Sequence, residues 1–185
     1  MLILHYIKVE KDKALILVLY VDLFLIGVNP LIYQCKRELA SEFEMKDLGL
    51  MHYFLGLEVW QKPGEIFLSQ GKYIVKLLER CGMVDCKFVS TSMECNFKKL
   101  CGSAAGPRLA NPSEYHQLVG ALMFLVNSRL DICFAVNTLS QFMVEPHLIH
   151  WIAAKNLLRY LWGTIHYGLR YTTGNLKLHG YLDAN

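Results

Sequence analysis

Residues 14–28 read A-L-I-L-V-L-Y-V-D-L-F-L-I-G-V, an apolar run that carries one carboxylate, Asp22. A charged side chain between Val21 and Leu23 would lose its hydration in a core, so the fold must give Asp22 solvent, a partner or a metal. Residues 15–20 and 24–28 are rich in aliphatic and β-branched side chains, and each run is short enough to be a strand. That places Asp22 at the bend between two strands. On residue chemistry alone the stretch is an ordinary hairpin with an acidic turn, because one carboxylate makes neither a catalytic pair nor a metal cage.

The surrounding residues carry more. Tyr20-Val21-Asp22-Leu23 followed by F-L-I-G resembles the Y-V-D-D box of reverse transcriptases of the Ty1/copia retrotransposon class. In that family a palm hairpin presents two adjacent aspartates at its tip; here Leu23 stands at the second position. The resemblance continues in family order through E-L-A-S-E-F-E-M-K-D-L-G (38–49), Y-F-L-G-L-E-V (53–59) and I-F-L-S-Q-G-K-Y-I (66–74). It runs on through D-C-K-F-V-S-T-S-M-E (85–94), Y-H-Q-L-V-G-A-L-M-F-L (115–125), H-W-I-A-A-K-N-L-L-R-Y-L-W-G-T (150–164) and the terminal G-Y-L-D-A-N. The resemblance implies an α+β fold: a partial palm of antiparallel hairpins and helices over 1–83, a connector over 84–112, a helical thumb and connection bundle over 113–165, and the truncated start of an RNase H-like domain over 166–185. It also implies Mg²⁺ as the metal and an RNA or DNA primer-template as the partner.

Local patterning fills in the elements. Residues 2–10 and 14–21 can pair across the polar turn Lys11-Asp12-Lys13. Asn29 as cap and Pro30 at the first helical position open a helix whose Leu31, Cys35, Leu39 and Phe43 form one stripe. Strands over 53–60 and 65–68 flank a Pro63-Gly64 turn, and Ser69 is placed to cap a helix with Tyr73, Ile74, Leu77, Leu78 and Cys81 on one side, stopped by Gly82. In the family this second hairpin corresponds to the region that holds the primer end. The Ser-, Gly- and Lys-rich residues of 84–112 read as a connector containing the domain boundary. Three amphipathic helices come next: 113–127 with Tyr115, Leu118, Leu122 and Leu125 inward; 131–144 with Ile132, Ala135, Leu139 and Phe142; and 147–162 with Trp151, Ala154, Leu158 and Leu161. Ser113 and Asp131 read as their caps, and residues 169–171 and 176–183 as a terminal hairpin.

Composition bounds the chemistry. A chain of 185 residues, 54% hydrophobic and 19% charged, has apolar material for one sizeable core or two small ones. No apolar run spans a bilayer, and residues 1–5 lack the basic region of a signal peptide, so the chain reads as intracellular and not secreted. Six cysteines without a C-x-x-C pair or a histidine cluster read as reduced, buried thiols rather than a zinc site. The net charge of +3 permits a nucleic-acid partner without demanding one.

Polymerase chemistry needs converging carboxylates to clamp two metal ions. The family's first aspartate comes from a strand that would precede Met1, and Leu23 offers no oxygen, so Asp22 with water ligands could hold Mg²⁺ only loosely. Asp183 matches the first RNase H carboxylate, without the remaining acids of that site. Lys155, Arg159, Arg170 and Lys177 are the candidate phosphate contacts, although solvated helix and strand faces explain them slightly better. His147 and His150 read as surface or capping histidines, because no third ligand accompanies them. The sequence thus describes a fragment of a retrotransposon RNA-directed DNA polymerase, inactive by itself. A non-catalytic nucleic-acid-binding module and an unexpressed relic are the alternatives, and apolar faces left uncovered would promote self-association.

Overall fold

The computed structural model describes residues 4–10, 12–19, 22–93, 100 and 106–174. The fold is mixed α+β, with two antiparallel sheets and five α-helices among the described residues. It divides into two compact units, residues 1–49 and 50–185.

In the first unit β1 (Leu4–Glu10), β2 (Lys13–Leu19) and β3 (Leu23–Gly27) form a sheet in that order. The β1–β2 turn closes between Glu10 and Lys13, with Asp12 in the left-handed region at φ 63°, which a short polar side chain tolerates. Leu19 pairs with Leu23, leaving residues 20–22 as the β2–β3 connection. Helix α1 (Asn29–Glu42) begins one residue earlier than expected: Val28 is the N-cap, no side chain caps it, and Asn29 is already helical. Its stripe lies against β3, with Leu31, Cys35 and Leu39 half-buried and Phe43 exposed. Lys36 Nζ, 2.8 Å from the Asp47 carboxylate, ties the helix to the segment after it.

This sheet is covered unequally. Leu15, on one face, is the buried hydrophobic residue of the unit among the described residues. On the opposite face Ile7, Ile16 and Ile26 form a row in register across the three strands, and Ile7 and Ile26 are 62% and 54% exposed.

The second unit holds β4 (Tyr53–Phe54), β5 (Leu57–Lys62), β6 (Glu65–Ser69) and β7 (Gly168–Thr172), ordered β4-β5-β6-β7. The continuous strand expected over 53–60 is instead a hairpin: Leu55 and Gly56 both take positive φ, 49° and 82°, as a two-residue turn requires. Glycine is also needed at 56 because a Cβ there would come within 2.9 Å of the Phe124 ring. Pro63-Gly64 forms the expected turn between β5 and β6. The strand expected to open a terminal hairpin is β7, paired antiparallel with β6; its expected partner, 176–183, lies outside the described residues.

Helix α2 (Gly71–Arg80) is not capped by Ser69, which closes β6. Glu58, buried on β5, supplies the missing acceptor: its Oε2 takes the Lys72 N–H at 3.0 Å, and Lys72 Nζ sits 3.4 Å from Oε1. Gly82, at φ 62°, ends the helix as expected, with its own N–H on the Glu79 carbonyl and the Met83 N–H on Leu78. Ile74, Leu77 and Leu78 of α2 share one core with α3 (Pro112–Leu125), α4 (Cys133–Ser140) and α5 (Leu148–Gly163). The second compact unit thus begins at residue 50, ahead of the second hairpin.

The inward residues of the three helices are as the periodicity predicts. Tyr115, Leu118, Leu122, Leu125, Ile132, Ala135, Leu139, Ala154, Leu158 and Leu161 are all buried, while Phe142 and Trp151 are half-buried. The caps differ. Asn111, not Ser113, caps α3 by accepting the Ser113 N–H at 3.1 Å. Asp131 caps nothing, because residues 130–132 form a 3-10 turn ahead of α4, and α4 ends at Ser140 rather than 144. The four described cysteines, Cys35, Cys81, Cys86 and Cys133, are free and half-buried rather than fully buried. Burial raises the thiol pKa values of Cys35 and Cys81, which keeps both as unreactive thiols.

One buried charge joins these pieces. Arg129, 1% exposed, donates from Nε and Nη2 to the two Asp131 oxygens at 2.9 and 2.7 Å. Its Nη1 and Nη2 also reach the Thr164 carbonyl at 3.0 Å and hydroxyl at 2.7 Å, and the guanidinium lies 5.8 Å from the Tyr160 ring and 5.4 Å from the Tyr167 ring. Tyr160 completes the set by donating to Asp131 Oδ2 at 2.8 Å. Desolvation pushes the Asp131 carboxyl up, but the bonds from Arg129 and Tyr160 outweigh it and hold the group below the usual carboxylate range. A carboxyl lowered on folding adds stability above its unfolded pKa, and that stability is lost as pH falls through the lowered value. Arg129→Ala should therefore cost on the order of 2–5 kcal/mol in denaturant unfolding at neutral pH, since it opens a cavity and takes the donors away from the Thr164 carbonyl and the Asp131 carboxylate. Arg129→Lys should recover little of this because it cannot bind two oxygens side by side. A loss below about 1 kcal/mol would place the pair among ordinary surface ion pairs.

Candidate active-site hairpin

The β2–β3 hairpin is built from aliphatic and β-branched residues in cross-strand register, Leu15 with Gly27, Ile16 with Ile26, Leu17 with Leu25 and Val18 with Phe24. This pairing pins the register and holds the three-residue connection at one end of the sheet. Asp22 occupies the last position of the connection, in a bend, and is exposed. The acid thus reaches solvent by position, as its placement within an apolar run requires; Tyr20 and Val21 lie outside the described residues.

Leu23 opens β3, half-buried, with a side chain that offers no donor oxygen. Among the described residues no group of three or more His, Cys, Asp or Glu side chains comes together as a metal site. The donor set at the hairpin tip is one carboxylate, which does not fit the two-ion clamp of nucleotidyl transfer. Asp183 and Lys177 lie outside the described residues.

The other candidates have partners within the chain. Lys155 Nζ stands 5.1 Å from the Trp151 ring centroid, a cation–π contact along α5. Arg159 donates from Nε to the Lys87 carbonyl at 2.7 Å and from Nη1 to Asn156 Oδ1 at 3.2 Å, which fastens the 84–112 segment to α5. Arg170 on β7 pairs with Glu65 at 3.7 Å and lies 5.8 Å from the Phe67 ring. His147 and His150 are helix-start histidines: the His147 backbone N–H donates to His150 Nδ1 at 2.9 Å.

Two groups with structural consequence escaped the sequence reading. Glu58 presents the same pattern as Asp22, an acid in an apolar strand, yet it is buried and answered by the start of α2. Arg129 sits in S-R-L-D, where the spacing to Asp131 was the available signal. Beside Glu58 a shallow groove of about 590 Å³ runs between the sheet and α2, floored by Trp60 and Phe67 and edged by Lys72, Lys76 and Glu79.

Comparison with known proteins gives these features a family. The family model described as reverse transcriptase (RNA-dependent DNA polymerase) matches residues 3–95, which includes the hairpin. An uncharacterised mitochondrial protein of Arabidopsis thaliana is 42% identical over 165 residues, 88% of this chain and 67% of that protein. The retrovirus-related Pol polyprotein from transposon RE1 of Arabidopsis thaliana is 42% identical over 180 residues, 95% of this chain but 12% of the polyprotein. The corresponding polyprotein from transposon TNT 1-94 of Nicotiana tabacum is 35% identical over 191 residues, 98% of this chain and 14% of its own length. No solved structure matches. The similarity spans nearly all of this chain and a small part of each polyprotein, and the chain belongs to the reverse transcriptase family as a fragment of the retrotransposon Pol type.

Proposed function

We propose that this chain is the part of a copia-type reverse transcriptase that carries the catalytic hairpin and the segments C-terminal to it, acting on an RNA or DNA primer-template. The observation that carries the reading is Asp22, exposed in the β2–β3 connection within Y-V-D-L. We assign residues 1–83 to the palm and 113–165 to the thumb and connection, joined by 84–112. Divalent metal is general to the family, and Asp22 is the side chain here that would contribute to holding Mg²⁺. It contributes one carboxylate where two adjacent ones serve the family, so this chain by itself does not activate a primer hydroxyl.

The decisive assay is incorporation of labelled nucleotide on a primed template with Mg²⁺ or Mn²⁺, with Asp22→Ala as the control for contaminating polymerase. We expect no extension by the chain, and none by Leu23→Asp, because two adjacent acids still lack the separate carboxylate the clamp needs. Extension that disappears in Asp22→Ala would overturn this and show that Asp22 works with a partner acid.

Binding without chemistry is the second reading, favoured by Leu23 at the box position. The basic side chains of α5 are already engaged, Arg159 with a backbone carbonyl and Lys155 with a ring. Primer-template binding should therefore be weak, indifferent to sequence and lost as salt rises. Titration of a labelled primer-template across salt concentrations tests this; tight binding that persists at high salt would assign the chain a dedicated nucleic-acid site.

The uncovered isoleucine row of the first sheet should make the isolated chain associate. Ile7→Lys with Ile26→Lys should shift size-exclusion elution toward monomer and reduce binding of an apolar dye. A compact monomer at high concentration in the unsubstituted chain would show that the face is not adhesive.

A further inference from the structure

His150 is 2% exposed, and both of its ring nitrogens are engaged. Nδ1 accepts the His147 backbone N–H at 2.9 Å, so the ring proton resides on Nε2 and is donated to the Leu100 carbonyl at 2.8 Å. The ring stacks on Phe142 at 3.9 Å with 14° between planes. One imidazole therefore touches three places at once: the start of α5, the segment after α4, and the connector.

The connector is joined to the helices at this same point. Its Pro107 carbonyl accepts the Leu148 N–H at 2.9 Å, its Leu109 N–H donates to the Pro146 carbonyl at 2.9 Å, and Arg108 pairs with Glu145. His147 Nδ1 lies 2.7 Å from the Gly106 carbonyl oxygen. The His147 contact to Gly106 is at the surface, whereas the His150 contact to Leu100 is buried.

We propose that the neutral imidazole of His150 is a pH-operated latch between the connector and the helical layer, and that its protonation breaks the attachment at Leu100 and loosens that of residues 107–109 to the start of α5. A second proton can enter only at Nδ1, where it meets the N–H of His147 in place of a lone pair. That destroys the bond at the start of α5 and leaves a charge in a site with almost no access to water. Burial above all, together with nearby His147, lowers the ring's proton affinity below the usual histidine range, against the opposing pull of the Leu100 carbonyl.

The described titratable and charged groups around the ring are Tyr115 on α3, Glu145 in the segment after α4, Arg108 on the connector and His147 at the start of α5. Tyr115 donates its hydroxyl to the Leu139 carbonyl at 2.7 Å, and burial raises its pKa, so it stays neutral. Glu145 is engaged by Arg108 and lies 3.6 Å from His147 Nε2. No described carboxylate bonds the His150 ring itself.

The sign comes from the lowered affinity. Below about pH 6.5 the released or unfolded histidine binds a proton that the latched ring refuses, so the latch weakens as pH falls, and its opening rises by up to about tenfold per pH unit until the latched ring titrates.

Hydrogen exchange, corrected for intrinsic rates and run from about pH 7.5 to about pH 5, reads this directly at the Leu109 and Leu148 amides. Protection there should fall in the full chain while α2 stays protected. His150→Gln retains an oxygen for the His147 N–H and an N–H for Leu100 but does not titrate, so its connector protection should be flat with pH. The outcomes that overturn the latch are unchanged protection down to about pH 5, a fall shared equally by α2, or a fall that persists in His150→Gln. Nitrogen-detected histidine spectra of the unsubstituted chain give a readout independent of whether that variant folds. They should show a neutral ring protonated at Nε2 at neutral pH, and an Nδ1–H or charged ring there would equally refute the proposal.

Discussion

The second unit depends on how a guanidinium is kept in a place with no water. Arg129 carries a full charge at 1% exposure, which is sustained because Asp131, Thr164 and two tyrosine rings answer it from different parts of the chain. Such a pair contributes little net energy against a well-packed apolar substitute, but removing one member is costly. Its effect is mainly on specificity. The turn before α4, the end of α5 and the approach to β7 must all be in place before the charge is satisfied, so helices and sheet edge are specified together.

Glu58 and Asp22 show how one sequence pattern leads to two outcomes. Each is an acid in an apolar strand environment, and the cost of desolvation forces each to find an answer. Glu58 sits within β5, where the start of α2 provides an N–H and a lysine, whereas Asp22 lies in the connection between strands and meets solvent. The buried acid supports the fold, and the exposed one is left to solvent.

Much of this was legible in the sequence because periodicity and turn chemistry are local. The inward faces of α3 and α5, the Pro63-Gly64 turn, the stop at Gly82 and the bend at Asp22 follow from residues within a few positions of one another. The features that were missed depend on distant partners. The two-residue turn at Leu55-Gly56 makes room for Phe124, β7 finds its partner in β6 about a hundred positions earlier, and Asp131 leaves its expected capping role for Arg129. The α3 cap moved by two residues because Asn111 meets the same need as Ser113, whereas α1 starts one residue early with no side-chain cap at all. For the site, family order pointed to the hairpin, but nothing local revealed that Lys155 and Arg159 would be engaged by a ring and a backbone carbonyl.

The uneven burial of the two units bears on how each tolerates random substitution. In the first unit Leu15 is the buried hydrophobic residue among those described, so most replacements in its strands alter surface rather than create cavities. The second unit fills its core with α2, α3, α4 and α5, where the loss of a methylene group is felt. A lineage accumulating changes without selection on chemistry would therefore drift fastest in the sheet that bears Asp22, while the helical core kept its pattern longest. Leu23, which follows Asp22 in Y-V-D-L, lies in that less buried sheet.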